Sequence, residues 1–194
     1  MAGFYTKHFS NHDDYMTPKS AWENIKDYLP RDKIIWECFY GDGNSGKYLE
    51  ELGCNVIHKN VDFFKHNLGE VIVSNPPYSN KKRILKRLKT LDKPFIMICP
   101  SSMLQTKYFR ELFGNTIQII VPSRRLQFVK LIDGKIPHNY KSNCNFDTFY
   151  YCYKMNLKRD LIFLWFWLKD NLAQLSRMDF EIDYKERYVN MRNR

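Results

Sequence analysis

Residues 33–43 (KIIWECFYGDG) carry the pattern that decides the fold. A short apolar run over 33–39 leads into a turn that contains Gly41 and Gly43, and apolar residues at helical spacing follow over 48–52. An apolar run that stops at glycines is typical of a buried strand, and the spacing after it is typical of an amphipathic helix. The stretch therefore predicts a strand, a glycine turn and a helix. Gly53 is expected to end this helix as its left-handed C-cap residue.

The same order of strand and helix recurs along the following residues. The further strands expected are 54–60, 70–74, 94–100 and 117–121, and the further helices are 18–29, 81–91 and 106–113. Apolar strands that alternate with helices indicate a mostly parallel sheet with helices on both faces. Two strand-like stretches, about 117–130 and 146–154, are separated by a loop with Gly and Pro, and they predict an antiparallel hairpin at the sheet edge.

The first expected helix has a recognisable start. Thr17 precedes Pro18, and a hydroxyl residue before a proline is typical of an N-cap followed by the first helical position. At the other end of the chain, 160–176 carries leucines at helical spacing and predicts a C-terminal helix.

Composition indicates one basic, folded domain. The 194 residues include 31 Lys and Arg against 21 Asp and Glu, a net charge of +10, and 44% of them are hydrophobic. A chain with so much apolar content builds a core, so disorder is excluded as a description of the whole chain. We expect a single domain over 1–194, made of an N-terminal arm (1–14), a core (15–155) and a helical tail (156–194).

Several classes of protein are disfavoured. The longest apolar run, residues 161–168, has eight residues, against the roughly 20 that a membrane-spanning helix needs. The N-terminus shows no targeting pattern, so a cytoplasmic protein that does not enter membranes is expected. The five cysteines are scattered without a C-x-x-C pair, which argues against a metal site.

The tetrapeptide Asn75-Pro76-Pro77-Tyr78 directly follows the expected strand 70–74. Two prolines stiffen a turn, so that the Asn75 side-chain oxygen and the Pro76 carbonyl can both accept hydrogen bonds from one amino group. Tyr78 adds a flat face for stacking on a heterocycle. These residue types predict a site that holds an exocyclic amine and aims its lone pair at an electrophile.

Glu37 and the glycine turn precede this tetrapeptide by one strand–helix repeat and a short segment. In open α/β sheets, ligands bind outside the carboxyl ends of the strands, so the two turns are expected to face one crevice. The helix that begins near Asn44 would present backbone N–H groups to a ligand carboxylate. Phosphate cradling is less attractive, because no Gly-Lys-Ser/Thr follows the turn.

Taken in order, these motifs resemble the S-adenosylmethionine-dependent adenine-N6 methyltransferases of the small type carried by phages and large DNA viruses. The resemblance covers about residues 15–150, from Tyr15-Met16-Thr17-Pro18 through Glu37 to Gly43 and Asp62-Phe63 to the Asn-Pro-Pro-Tyr element. It implies a Rossmann-like methyltransferase fold with a seven-stranded sheet, and methyl transfer from S-adenosylmethionine to a flipped adenine.

The resemblance also implies the roles of individual residues. The catalytic residues would be Asn75, Pro76, Pro77 and Tyr78. The cofactor-binding residues would be Tyr15, Thr17, Pro18, Glu37, Phe39, Gly41, Gly43, Asp62, Phe63 and Asn75. The expected strand 54–60 ends without the acid that usually holds the ribose hydroxyls, and Asp62 would serve either the ribose or the adenine amino group.

The loops 101–111 and 124–146 are the candidates for nucleic-acid contact, and basic and aromatic residues interleave in the second of them. The residues selected are Arg124, Arg125, Lys130, Lys141 and Phe146, and Phe146 resembles the family aromatic that sandwiches the extruded base. The basic residues of the helix 81–91 are either its solvated face or further phosphate contacts.

Alternatives remain open on the acceptor and on activity. DNA is favoured over RNA as the partner, and the net charge argues against the glutamine side chain of a protein as the acceptor. A relative that binds nucleic acid without methylating it would keep the same scaffold. The chain is expected to act as a monomer or a homodimer.

Overall fold

The structure is a computed structural model that describes residues 15–130 and 147–164. Its strands are β1 (Tyr15–Met16), β2 (Ile34–Trp36), β3 (Asn55–Ile57), β4 (Val71–Ser74), β5 (Phe95–Pro100), β6 (Ile117–Val121), β7 (Val129–Lys130), β8 (Thr148–Tyr153) and β9 (Leu161–Phe163). Its α-helices are α1 (Lys19–Glu23), α2 (Asn44–Glu51), α3 (Lys81–Leu91) and α4 (Lys107–Phe113). Short 3-10 turns cover Lys26–Tyr28, Tyr78–Asn80, Ser101–Gln105 and Gly114–Thr116.

Seven of these strands form one sheet in the order β3-β2-β4-β5-β8-β6-β9. The neighbours from β3 to β5 are parallel, β8 is antiparallel to both of its neighbours, and β9 is parallel to β6. Six strands therefore run in one direction and β8 runs against them. The predicted doubly wound, Rossmann-like sheet is confirmed, and the order reverses between β2 and β4.

The two faces of the sheet carry separate cores. On one face, α1 and α2 bury residues such as Trp22 and Leu49 against strand residues that include Ile35. On the other face, α3 and α4 bury residues such as Leu88 and Phe109. Burial of each such side chain contributes roughly 1.5–3 kcal/mol. The prediction of helices on both faces is confirmed.

The predicted hairpin lies elsewhere than expected. Strands β6 and β8 do pair antiparallel, but β8 is inserted between β5 and β6, not placed at the edge. The reason is its two-sided burial, since Tyr150 belongs to one core and Tyr151 to the other. A strand that is apolar on both faces is stable only inside a sheet. Residues 122–128 form no strand, and β7 pairs with β1 in a separate two-stranded sheet.

The prediction of a helix beginning at 160 is wrong for its first residues. Leu161–Phe163 form the edge strand β9, and the Leu164 amide donates to the Val121 carbonyl. The Gln118 side chain supports this pairing through two hydrogen bonds to Leu157. Its Nε2 donates to the Leu157 carbonyl, and its Oε1 accepts the Leu157 backbone N–H. The sheet thus extends past the expected core boundary at 155, and the rest of the predicted helix lies outside the described residues.

The expected leading helix is shorter than predicted. It consists of α1 and the 3-10 turn Lys26–Tyr28, and Pro18 itself occupies the N-cap position without a side-chain capping bond. Thr17 is therefore not the cap, and its hydroxyl is used elsewhere. Over the described ranges 15–130 and 147–164, no helix is long and apolar enough to span a membrane. The same ranges contain no metal-holding group of three or more His, Cys, Asp or Glu residues.

Candidate active site

The site lies at the point where the strand order reverses. Glu37 directly follows β2 and Asn75 directly follows β4, and these two strands are parallel neighbours. Both residues therefore leave the sheet at its carboxyl edge, beside the crevice where open α/β sheets bind ligands.

A chain of hydrogen bonds fixes the Asn75 side chain. Its amide Nδ2 donates to the Thr17 hydroxyl at 2.9 Å, and the Tyr78 hydroxyl donates to its Oδ1 at 3.0 Å. The Tyr78 hydroxyl also lies 3.4 Å from the Ile98 carbonyl at the heart of β5. The two ends of the amide are thus assigned, with the oxygen on the Tyr78 side. The hydroxyl that sequence analysis placed in a helix cap instead orients the predicted catalytic amide.

The glycine turn needs its two glycines. Gly41 and Gly43 have φ values of +56° and +80°, in the left-handed region that disfavours side chains. A Cβ on Gly41 would lie 3.3 Å from the Met16 sulfur, and a Cβ on Gly43 would lie 3.1 Å from the Tyr40 hydroxyl oxygen. The segment around β1 therefore contacts the glycine turn through Met16 and the Asn-Pro-Pro-Tyr turn through Thr17.

The start of α2 is already partly bonded. The Asp42 carboxylate accepts the Asn44 backbone N–H at 3.0 Å and also bonds the Asn44 side chain. Trp22 of α1 donates through its indole N–H to the Ser45 hydroxyl at 2.8 Å in the interior. The helix terminus that sequence analysis offered to a ligand carboxylate thus has its first N–H occupied by the chain itself.

Glu37 faces inward. It is 1% exposed, and its Oε1 accepts a hydrogen bond from the Ser74 hydroxyl. Its Oε2 lies 2.7 Å from His58 Nε2, an ion-pair distance, and among the described residues neither atom has a partner with full hydrogen-bond geometry. Because Ser74 is the last residue of β4 and His58 follows β3, one carboxylate ties together the ends of three neighbouring strands.

His58 was not among the site residues expected from the sequence. The end of the expected strand 54–60 was described only as lacking an acid, and its histidine had no assigned role. Burial lowers the pKa of His58, but the hydrogen bond and charge of Glu37 outweigh it, with smaller contributions from the Tyr40 backbone and Glu50, and the pKa is raised. A signal was available in the sequence, since an acid after one strand and a histidine after the next parallel strand are expected to meet.

The Asp62-Phe63 element lies beside the same turn. Phe63 is 1% exposed and packs against Trp36 and Phe39, with ring centroids 5.6 and 5.0 Å away. Asp62 Oδ1 accepts the Phe64 backbone N–H at 2.9 Å. The structure thus brings the four predicted elements together, with Phe63 and Phe39 in core packing. Their contact with a cofactor stays a prediction.

The predicted nucleic-acid residues are only partly described. Arg124 is exposed, and Arg125 forms an ion pair with Asp147 at 2.7 Å. Lys130 ends β7, and Lys141 and Phe146 lie outside the described residues. The charge of Arg125 is thus offset by a carboxylate.

A second basic surface is more clearly defined. The helix α3 (KKRILKRLKTL) contains six cations and no acid, and it begins directly after the Tyr78–Asn80 turn. Lys82, Arg83 and Lys86 are exposed, whereas Leu85 and Leu88 are buried. Within the described ranges, no carboxylate forms an ion pair with any cation of this helix. We call these six residues the α3 basic face: Lys81, Lys82, Arg83, Lys86, Arg87 and Lys89.

Gly46→Ala is expected to destabilise the protein, although alanine in a helix normally gains about 1 kcal/mol over glycine. A Cβ at Gly46 would lie 2.2–2.4 Å from atoms of His58, including the His58 Cβ. The ring cannot withdraw without leaving Glu37, so we expect a loss of about 1–3 kcal/mol from overpacking. Urea denaturation measures the change. Lys47→Ala, at an exposed position of the same helix, is the control, and a midpoint for Gly46→Ala at or above the wild-type value would contradict the expectation.

Comparisons with known proteins add a structural likeness. No protein-family model and no curated protein matches the chain. Among solved structures, a Listeria monocytogenes protein described as a candidate class I S-adenosylmethionine-dependent methyltransferase is similar, with 14% identity and a TM-score of 0.41. The similarity covers 83% of this chain and 68% of that one.

Proposed function

We propose that this protein transfers a methyl group from S-adenosylmethionine to the N6 amino group of adenine in DNA. The observation that carries the proposal is the Thr17–Asn75–Tyr78 hydrogen-bond chain at the reversal point of the sheet. It fixes a side-chain oxygen acceptor beside a buried proline and an aromatic ring, the combination that an exocyclic amine on a heterocycle requires.

The cofactor fits the other half of the site. The turn at Gly41 and Gly43 offers backbone without side chains next to β1, and the proposed cofactor contacts otherwise come from Tyr15, Thr17, Pro18 and Asp62. Asp62 commits one carboxylate oxygen to the Phe64 amide, so its second oxygen is the proposed partner for a ribose hydroxyl or the adenine amino group. When bound, S-adenosylmethionine supplies a methyl group on a sulfonium, which is electrophilic without further activation.

The residues of the tetrapeptide position the acceptor. The target adenine leaves the base stack at a cost of a few kcal/mol and stacks on Tyr78. Asn75 Oδ1 and the Pro76 carbonyl each accept one N6 hydrogen, which turns the nitrogen lone pair toward the methyl group. The N–C bond forms as the C–S bond breaks, and the surplus N6 proton leaves to water. Positioning of this kind is worth several kcal/mol of the barrier.

The proposed reaction forms no covalent enzyme intermediate, so it needs no nucleophilic cysteine near the site. Cys38 and Cys99 are buried, and burial raises the pKa of both thiols. Protonated thiols are poor nucleophiles. We therefore assign both cysteines to core packing and give them no part in the proposed reaction.

The α3 basic face supports a polyanionic substrate. From Lys82 to Lys89 the helix rises about 10 Å, the axial length of about three phosphates on one strand of duplex DNA. Arg83 lies with its guanidinium 3.8 Å from the centre of the Phe64 ring, which restrains it at the surface. Because the face begins next to Tyr78, bound backbone phosphates would lie beside the target base.

Lys82→Ala combined with Lys86→Ala is expected to weaken DNA binding and to flatten its salt dependence. Each lost phosphate contact lowers the slope of log K against log salt by about 0.9. Fluorescence anisotropy with a labelled duplex at several salt concentrations gives both quantities. The matched control is Lys33→Ala combined with Lys158→Ala, which removes the same charge. Both lysines are exposed and precede β2 and β9, at the end of these strands opposite to the carboxyl edge where the site lies. Equal slopes for the two double variants would argue against the α3 basic face as a phosphate contact.

The function itself is tested by a methylation assay with nucleoside analysis. The protein is incubated with tritiated S-adenosylmethionine and unmethylated duplex DNA, single-stranded DNA or RNA, and the nucleosides are then separated. Label in N6-methyldeoxyadenosine supports the proposal. Label only in RNA nucleosides assigns the RNA alternative, and cofactor binding without any transfer assigns a non-catalytic relative.

A further inference from the structure

The His58 side chain is largely buried next to the glycine turn. The His58 side chain is 8% exposed and lies with Nε2 2.7 Å from Glu37 Oε2. The proposed function gives it no contact with either substrate. A buried imidazole needs partners for its ring nitrogens, and a neighbouring carboxylate favours its charged form.

Two acceptor groups beside His58 favour its charged form. Nε2 faces the Glu37 carboxylate, and the backbone of Tyr40 is a second hydrogen-bond partner that raises the pKa of His58. A partner that raises the pKa of a histidine accepts from it, so this partner is the Tyr40 carbonyl. Only the imidazolium carries two N–H groups. Loss of its proton therefore weakens the attraction of the ring to Glu37 and to the Tyr40 carbonyl.

The ring is also the packing centre of the turn. It stacks on the Tyr40 ring with centroids 4.6 Å apart, and Gly46 of α2 leaves room for it with no space for a methyl group. The Tyr40 carbonyl accepts the Gly43 N–H at 2.9 Å as well. The His58 ring thus contacts the strand end at Glu37, the Tyr40 ring of the glycine turn and the first turn of α2.

We propose that the imidazolium of His58 is the positioning residue of the glycine turn and, through it, sets the affinity for S-adenosylmethionine. This inference rests on the proposed function, because it assumes that the turn binds this cofactor. Glu37 is 1% exposed with both oxygens engaged inside the protein, and it acts on the cofactor through the same assembly.

The sign of the pH effect follows from the groups that face the ring. Glu37 from the β2 end, the Tyr40 carbonyl and Glu50 of α2 all favour the cation and outweigh burial, so the pKa lies above the ordinary value of 6.5. The charged form is present below that pKa and is lost as the pH rises through it. Cofactor affinity therefore declines as the pH rises through this raised pKa, by at most about tenfold per pH unit.

The test is calorimetric titration with S-adenosylhomocysteine between about pH 6 and pH 9, on wild type and His58→Gln. Glutamine keeps an N–H for Glu37 but does not ionise, so weaker binding at pH 6 and a flatter profile are expected. The ligand amino group, with a pKa of about 8, titrates in both proteins, and the difference between the two profiles reports His58. His66→Gln, at an exposed histidine, should keep the wild-type profile. Parallel profiles for wild type and His58→Gln overturn the inference.

A second measurement uses the wild type alone, in case His58→Gln does not fold. Linkage requires that a ligand favoured by the imidazolium raises the pKa of that imidazolium. Saturation with S-adenosylhomocysteine should therefore raise the pKa of His58 in an NMR titration, and an unchanged pKa overturns the inference. If the wild type binds no cofactor at any pH, the proposed function fails and this inference with it, whereas binding with no coupling to His58 removes this inference alone.

Discussion

Asn75→Ala is expected to slow methyl transfer by about 10²–10³-fold, the range for removal of one preorganised polar group from an active site. Asn75 is half-buried and fixed at both ends of its amide, by Thr17 and by Tyr78. The proposed mechanism uses its Oδ1 to turn the adenine lone pair, and alanine offers no acceptor there. Single-turnover methylation of duplex DNA at saturating S-adenosylmethionine measures the loss, while the unfolding temperature is expected to stay close to the wild-type value.

Two further variants make this result specific. Asn80→Ala removes an exposed amide at the end of the same 3-10 turn and should leave the rate unchanged. Thr17→Val keeps Asn75 but removes the acceptor that orients its Nδ2, so a smaller loss is expected. Unchanged turnover in Asn75→Ala would reject the adenine-N6 assignment, whatever the fold.

The parts of this fold that were predictable are those set by local patterns. Helix α3 begins and ends at the residues predicted, 81 and 91, because its apolar residues follow the helical period and a proline follows soon after. Strand β4 ends before Asn75 because prolines cannot continue a central strand. The crevice then follows from the rule that parallel strands share a carboxyl edge.

The parts that failed depend on contacts between distant residues. The apolar run that contains β9 fits a buried helix as well as a strand. Only the pairing of β9 with β6 decides between the two structures. Thr17 satisfied the local rule for an N-cap, yet its partner is Asn75, 58 positions away. At both places a tertiary contact overrode a local sequence preference. A single sequence does not reveal such long-range contacts.

The contact between Glu37 and His58 is of the same kind, and its energy is open to measurement. Glu37→Leu alone is expected to lower the free energy of unfolding by about 3–5 kcal/mol, because it leaves a buried imidazole without its carboxylate. His58→Leu alone leaves the carboxylate buried with only Ser74 and should cost a similar amount. The double variant buries two apolar side chains instead, and it should lose much less than the sum of the two single losses.

The coupling between the two residues is obtained from urea denaturation of all four proteins. It should be larger at about pH 6 than at about pH 9, because the raised pKa of His58 means that the ion pair is charged at the lower pH and loses its cation as the pH rises. Lys19 and Glu51 form the matched comparison, since their ion pair is as short, 2.6 Å, but 44% and 54% exposed. Solvent screens such a pair, so its coupling should be far smaller. Additive losses for Glu37 and His58 would mean that the 2.7 Å contact contributes no interaction energy to the folded state.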